Sequence, residues 1–164
     1  MREQRVYRGT IEVVDRKGLI RTLDESGVLR SGTFKERLLA VLNEIVSLPD
    51  SPDLADARND DLALDLRVPA YVAGAAFFGD LPIFWRPTVT VMARLRHIET
   101  GNTAFYAKVT NRMPWKQFIS AAISFRRAFS LGPQFTEDDL EPLLLRACHE
   151  AIGKLSRSAA ITTK

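Results

Sequence analysis

Apolar and polar positions alternate most regularly between Pro87 and Asn111, PTVTVMARLRHIETGNTAFYAKVTN. In an extended chain successive side chains point to opposite faces. Val89, Val91, Ala93, Leu95 and His97 then share one face, and Thr90, Met92, Arg94, Arg96 and Ile98 share the other. Beyond Glu99-Thr100-Gly101-Asn102 the pattern resumes, with Ala104, Tyr106, Lys108 and Thr110 opposite Phe105, Ala107 and Val109. Gly101 suits a tight turn. The stretch predicts a long β-hairpin with one apolar and one wet face.

Other segments show weaker versions of the same alternation. Arg5–Asp15 is β-branched, and Asp15-Arg16-Lys17-Gly18 is a turn pattern, so Leu19–Leu23 is expected to return as a short strand. Leu62, Leu64, Leu66 and Val68 alternate strictly before Pro69, which predicts a half-buried strand. Ala70–Gly79 reads either as a further strand or as a close-packed segment in which Gly74 lets backbone approach. Phe84-Trp85 lies between Pro82 and Pro87, a loop or an edge that resists strand addition.

Helical periodicity takes over in three places. Thr33-Phe34-Lys35-Glu36 fits a capping box, and Phe34, Leu38, Val41, Leu42 and Ile45 follow at helical spacing, giving a helix over Thr33–Ser47. Asp50–Asp61 after it is an acidic loop. Pro114–Leu131 fits two periods. Trp115, Phe118, Ile119, Ala122 and Phe129 share a helical face, whereas Ile123, Phe125, Arg127 and Phe129 alternate as in a strand. Helix is favoured, with the aromatics facing the core. Leu140, Leu143, Leu144, Ala147, Ala151, Ile152 and Leu155 form an unbroken stripe, predicting a helix over Leu140–Ser156 with Thr136 as its cap. Pro142 is expected in or near the first turn. A polar tail from about residue 157 follows.

The expected fold class is α+β. An antiparallel or mixed sheet of about four to six strands carries two or three helices mainly on one face. The 164 residues are read as a single domain over 1–164. The 23 basic and 20 acidic residues leave a net charge of +3. They are interspersed, unlike the concentrated basic face of a dedicated nucleic-acid binder. No apolar run approaches the roughly 18 residues of a membrane-spanning helix. The charged N-terminus has no apolar stretch behind it, so no signal peptide is expected in this chain.

Candidate chemistry is sparse. Cys148 borders the apolar stripe of the last helix and reads as a small buried hydrophobe. His149 falls on that helix's polar side. His97 has no orienting carboxylate nearby in sequence. Asp53, Asp56, Asp60 and Asp61 do not match a calcium-loop pattern, and Asp65 stands alone on the polar face of its strand. Neither a metal nor another cofactor is expected, and no residue is singled out as catalytic. The residues best suited to an interaction surface are Phe84, Trp85, Arg112, Trp115, Lys116, Arg126 and Arg127, which combine aromatic rings with positive charge.

The run VTVMARLRHIETGNTAFYAKV and the later helix FTEDDLEPLLLRACHEAIGKL resemble a recurrent arrangement in bacterial envelope lipoproteins of the curli-secretion and penicillin-binding-protein-activator type. TFKERLLAVLNEI followed by DLALDLRV fits the same order. The resemblance implies a non-enzymatic envelope accessory protein that acts through protein–protein contacts or assembly. The partner would be another protein or a second copy. That location supposes a leader outside this chain; a native start at Met1 implies the cytoplasm instead. Two alternatives stand beside it. One is a cytoplasmic nucleic-acid-binding module using the Arg/aromatic segment 112–129, with nucleic acid the less favoured partner. The other is a small ligand-binding protein or enzyme around His97 and Trp85.

Overall fold

A computed structural model describes residues 5–14, 34–53, 56–72, 74–78, 81–127, 135 and 137–162. Six strands and three helices follow in the order β1 (Val6–Val13), α1 (Phe34–Ile45), β2 (Leu62–Val72), β3 (Ala75–Phe78), β4 (Leu81–Trp85), β5 (Thr88–His97), β6 (Thr103–Arg112), α2 (Trp115–Arg127) and α3 (Glu137–Thr162). A mixed four-stranded sheet has the order β1-β2-β5-β6, and β3-β4 form a separate pair. The α+β expectation holds.

The hairpin predicted at Pro87–Asn111 is β5-β6, with Gly101 at φ 71° in its turn. Its apolar face is buried as the alternation requires: Val89, Val91 and Ala93 are fully covered. β2 lies antiparallel beside β5 and parallel to β1. Parallel neighbours need a crossover connection, which here includes α1. The Leu19–Leu23 strand and the Thr33 and Thr136 caps lie outside the described residues.

α1 and α3 cover the apolar face. Leu38, Val41 and Leu42 of α1 enter the core with Leu140, Leu144, Ala147, Ala151 and Leu155 of α3. Arg37 and Glu141 join the two helices at 2.8 Å. Three sequence expectations need correction. β2 does not stop at Val68 but continues through Pro69, because a register shift between Arg67 and Ala70 relieves the ladder of a donor that proline lacks. α3 starts at Glu137 rather than Leu140, so Pro142 lies past its first turn, and the polar tail expected from about 157 is helical through Thr162. Ser156, Arg157 and Ser158 side chains donate back to the Gly153 and Lys154 carbonyls there. Finally, the stripe on α2 does not wholly face the core. Phe118 is fully buried, but Trp115 is 51% and Ile119 48% exposed.

Cys148 is buried, and burial pushes its thiol up to about 12. The thiolate is the reactive form. Cys148 is therefore expected to resist Ellman's reagent at pH 8 in the native protein and to react at once in guanidinium. Rapid native-state labelling would contradict this packing. No helix among the described residues is long and apolar enough to cross a membrane.

Candidate functional site: an aromatic–arginine groove

The register places Val72 of β2 beside Thr88 of β5, and Thr88 beside Arg112 of β6. These three side chains form one cross-strand row on the face opposite α1 and α3, at the end of the sheet where β2 finishes and β5 begins. The row floors a groove of about 530 Å³, walled by Phe84, Trp85 and Arg86 on one side and Trp115 on the other. Its volume falls in the range of small-ligand and side-chain pockets, roughly 300–1,000 Å³.

Each wall is fixed locally. Met113 N–H donates to the Pro87 carbonyl at 2.9 Å, which ties the start of α2 to the start of β5. Arg86 Nη1 donates to the Met113 carbonyl at 3.2 Å, and its guanidinium lies 4.3 Å from the centre of the Trp115 ring. Such a cation–π contact contributes about 0.5–1 kcal/mol at an exposed site. The Trp115 ring meets Phe118 edge-on at 5.7 Å, and Phe118 stacks on Phe135 at 5.2 Å. Trp115 thus stays exposed while its position is set from beneath by a buried ring.

The opposite wall carries backbone strain. Phe84 has φ 45°, unusual for a bulky residue, beside a register irregularity in the β3-β4 pair. Gly74, at φ 94°, packs directly on Pro87: a Cβ there would lie 2.5 Å from Pro87 Cδ. That is the close approach foreseen for Gly74. Gly74→Ala is expected to cost about 1–3 kcal/mol, from the clash and the disfavoured φ together. It should also move β3-β4 relative to β5, which a chemical-denaturation curve and a changed tryptophan emission would register.

The structure brings together Phe84, Trp85, Arg112 and Trp115 from the predicted surface. Lys116 follows Trp115 but does not line the groove. Arg126 and Arg127 lie at the far end of α2, roughly 17 Å along its axis at 1.5 Å per residue. His97 ends β5 and Trp85 ends β4, just before β5 begins, so the length of β5, on the order of 30 Å, lies between them and they do not form one site. Arg86 was missed. A single arginine before Pro87 carries no periodic signal.

A polar network occupies the same face further along β2. The Asp65 carboxylate accepts from Arg94 Nη2 at 2.6 Å, Arg94 Nε at 3.1 Å, Arg96 Nε at 3.2 Å and Thr10 N at 2.9 Å. Burial alone would raise its pKa; the Thr10 N–H, then Arg96 and Arg94, outweigh burial and hold it below the ordinary carboxylate value. Gly9 fits against this carboxylate, since a Cβ there would lie 2.2 Å from Asp65 Oδ1. The Thr10 bond and the Gly9 contact fall within the register shift of β1 between Arg8 and Ile11.

No protein-family model matches the chain, and no curated protein does. Among solved structures it is similar to a Caulobacter crescentus CB15 protein classed as a lipoprotein, at 15% identity and TM-score 0.41 over 93% of this chain and 91% of that one. It is also similar to the PelC dodecamer from Paraburkholderia phytofirmans, at 13% identity and TM-score 0.36 over 85% and 86%. Lipoprotein GNA1162 from Neisseria meningitidis matches at 17% identity and TM-score 0.29 over 76% and 96%. These likenesses are too loose to assign a family or an activity.

Proposed function

We propose that this protein is a non-enzymatic accessory subunit of the bacterial cell envelope that binds another protein through the groove at Phe84, Trp85, Arg86, Arg112 and Trp115. One observation carries the binding half of this reading: three aromatic rings, each between 37% and 51% exposed, converge with two arginines at one end of the sheet. Exposed tryptophan and arginine are the residue types that dominate the energetics of protein interfaces. Among the described residues the groove lining supplies no carboxylate, imidazole or thiol to move a proton, which suits binding better than catalysis. The envelope half rests on the resemblance of the β5-β6 hairpin and α3 to envelope lipoproteins.

The test replaces Trp115 with a photo-crosslinking amino acid in the source cells. A defined protein partner in the envelope fraction is expected, lost when Trp85→Ala or Arg112→Glu is added. Crosslinks to nucleic acid, or to soluble cytoplasmic proteins only, would overturn the reading. The first of those outcomes would favour the nucleic-acid module, for which Arg112, Trp115 and Arg86 form a stacking platform.

A further inference from the structure

We propose that the outer edge of β6 is a strand-addition site for an extended, acidic segment of a partner protein, which pairs along β6 and reaches the groove at Arg112. This deepens, and rests on, the reading of the groove as a protein-binding surface.

The four-stranded sheet has two edges, β1 and β6. The β1 edge is covered at Arg8. Arg8 N–H donates to the Pro49 carbonyl at 2.7 Å, Asp50 bridges to Arg8, and Ser51 Oγ donates to the Arg8 carbonyl at 2.7 Å. β1 is also broken by its register shift. Such devices keep an edge from pairing with another chain. β6 has one register shift, at its Thr103–Phe105 start, and none beyond it. Its register against β5 is regular from Phe105 to Arg112, with no proline in the strand.

The direction of its free groups follows from the ladder. Met113 N–H bonds to the Pro87 carbonyl, so Pro87 and Met113 are a closely bonded pair. Bonded and non-bonded pairs alternate in an antiparallel ladder. Asn111, Val109, Ala107 and Phe105 therefore face β5 with their backbone groups, and Thr110, Lys108 and Tyr106 face outward. Among the described residues, no backbone group bonds to these three from outside. An incoming strand would find them in register, which is the main-chain half of strand addition.

Charge decides the occupant. β6 carries Lys108 and Arg112 and no acid. Neither cation forms an ion pair among the described residues, whereas the acids on this face are already engaged: Asp65 with Arg94 and Arg96, Glu12 with Arg67. A strand with acids at alternate positions would set them against Lys108 and Arg112. Opposite charges across a strand pair are stabilising and like charges are not. A second copy of β6 would bring two more cations, so the partner is a different, acidic segment. Arg112 belongs to both the strand and the groove, which would receive one apolar or aromatic side chain from the end of that segment.

The probe is a capped synthetic peptide of about ten residues, alternating glutamate with valine and ending in tryptophan, followed by fluorescence anisotropy on the intact protein. Its control has lysine for each glutamate. The glutamate peptide is expected to bind and to weaken with added salt, and the control to fail. Lys108→Pro removes an outward N–H together with the Lys108 cation but no bond of the β5-β6 ladder, and should lower affinity at least about tenfold. Thr110→Pro should do the same, which guards against a folding defect at one position. In the wild type the peptide should slow hydrogen exchange at the Tyr106, Lys108 and Thr110 amides. Equal binding by both proline variants, equal binding of the lysine peptide, or no binding at about 1 mM overturns the inference. Quenching of Trp115 without protection of the three amides would leave the groove reading intact and remove the strand-addition one. Self-association abolished by Lys108→Pro would make a second copy the occupant and overturn the acidic partner.

Discussion

Asp65→Ala is expected to lower the unfolding free energy by about 2–3 kcal/mol at pH 7. Removing one partner of a buried ion pair costs about 3–5 kcal/mol, because the remaining charge is left uncompensated. The side chain of Asp65 is 10% exposed, but those of Arg94 and Arg96 are 45% and 26% exposed. Water recovers part of the loss, which discounts the figure. The Thr10 N–H also loses its acceptor at the bulge of β1. The loss should depend on pH in a definite direction. The folded-state pKa of Asp65 lies below its unfolded value. Its contribution is therefore complete above the ordinary aspartate pKa of about 3.9 and disappears as pH falls through the lower, folded value. Urea denaturation of wild type and Asp65→Ala should differ most at neutral pH and converge toward pH 2. A constant difference across that range would mean that packing, not charge, holds the network. Arg94→Ala should cost less, since Arg96 and Thr10 still hold the carboxylate.

Phe118→Ala should have a still larger effect, about 3–5 kcal/mol, the usual cost of truncating a fully buried phenylalanine. Phe118 is completely covered and stacks on Phe135. Its consequence reaches the surface, because the Trp115 ring rests edge-on against it. With Phe118 gone, Trp115 should lose its fixed pose and Arg86 its stacking partner. Thermal unfolding would register the first effect. A red-shifted, less structured near-ultraviolet tryptophan signal below the melting transition would register the second. Trp115→Ala is the natural comparison: it removes an exposed ring, so it should cost little stability while abolishing whatever the groove binds. If Phe118→Ala left Trp115 emission unchanged, the groove wall would be held from elsewhere.

The two substitutions differ in how far they could be anticipated. The burial of Phe118 is written into helical spacing. The exposure of Trp115, three positions earlier on the same face, is not. Spacing tells which residues share a face, but a helix that starts at the sheet's end presents its first turn beyond the core. Asp65 was legible as a lone polar residue on a wet face. Its partners Arg94 and Arg96 were legible on the same face of β5. That they meet depends on β2 lying beside β5 in one register, and nothing local states that register.

The sequence by itself determined the elements and their buried faces: the β5-β6 hairpin, the apolar sides of α1 and α3, and the buried Cys148. Each follows from a period of two or of 3.6, which any chain segment carries without reference to the rest. Only the tertiary structure decided that β1 runs parallel to β2, that Val72, Thr88 and Arg112 form one row, and that β6 lies at the edge of its sheet. These depend on which strand lies next to which. Periodicity records whether a side chain is covered, not by whom, so the groove, drawn from five separate elements and the Arg86 link, emerges only when the sheet is assembled.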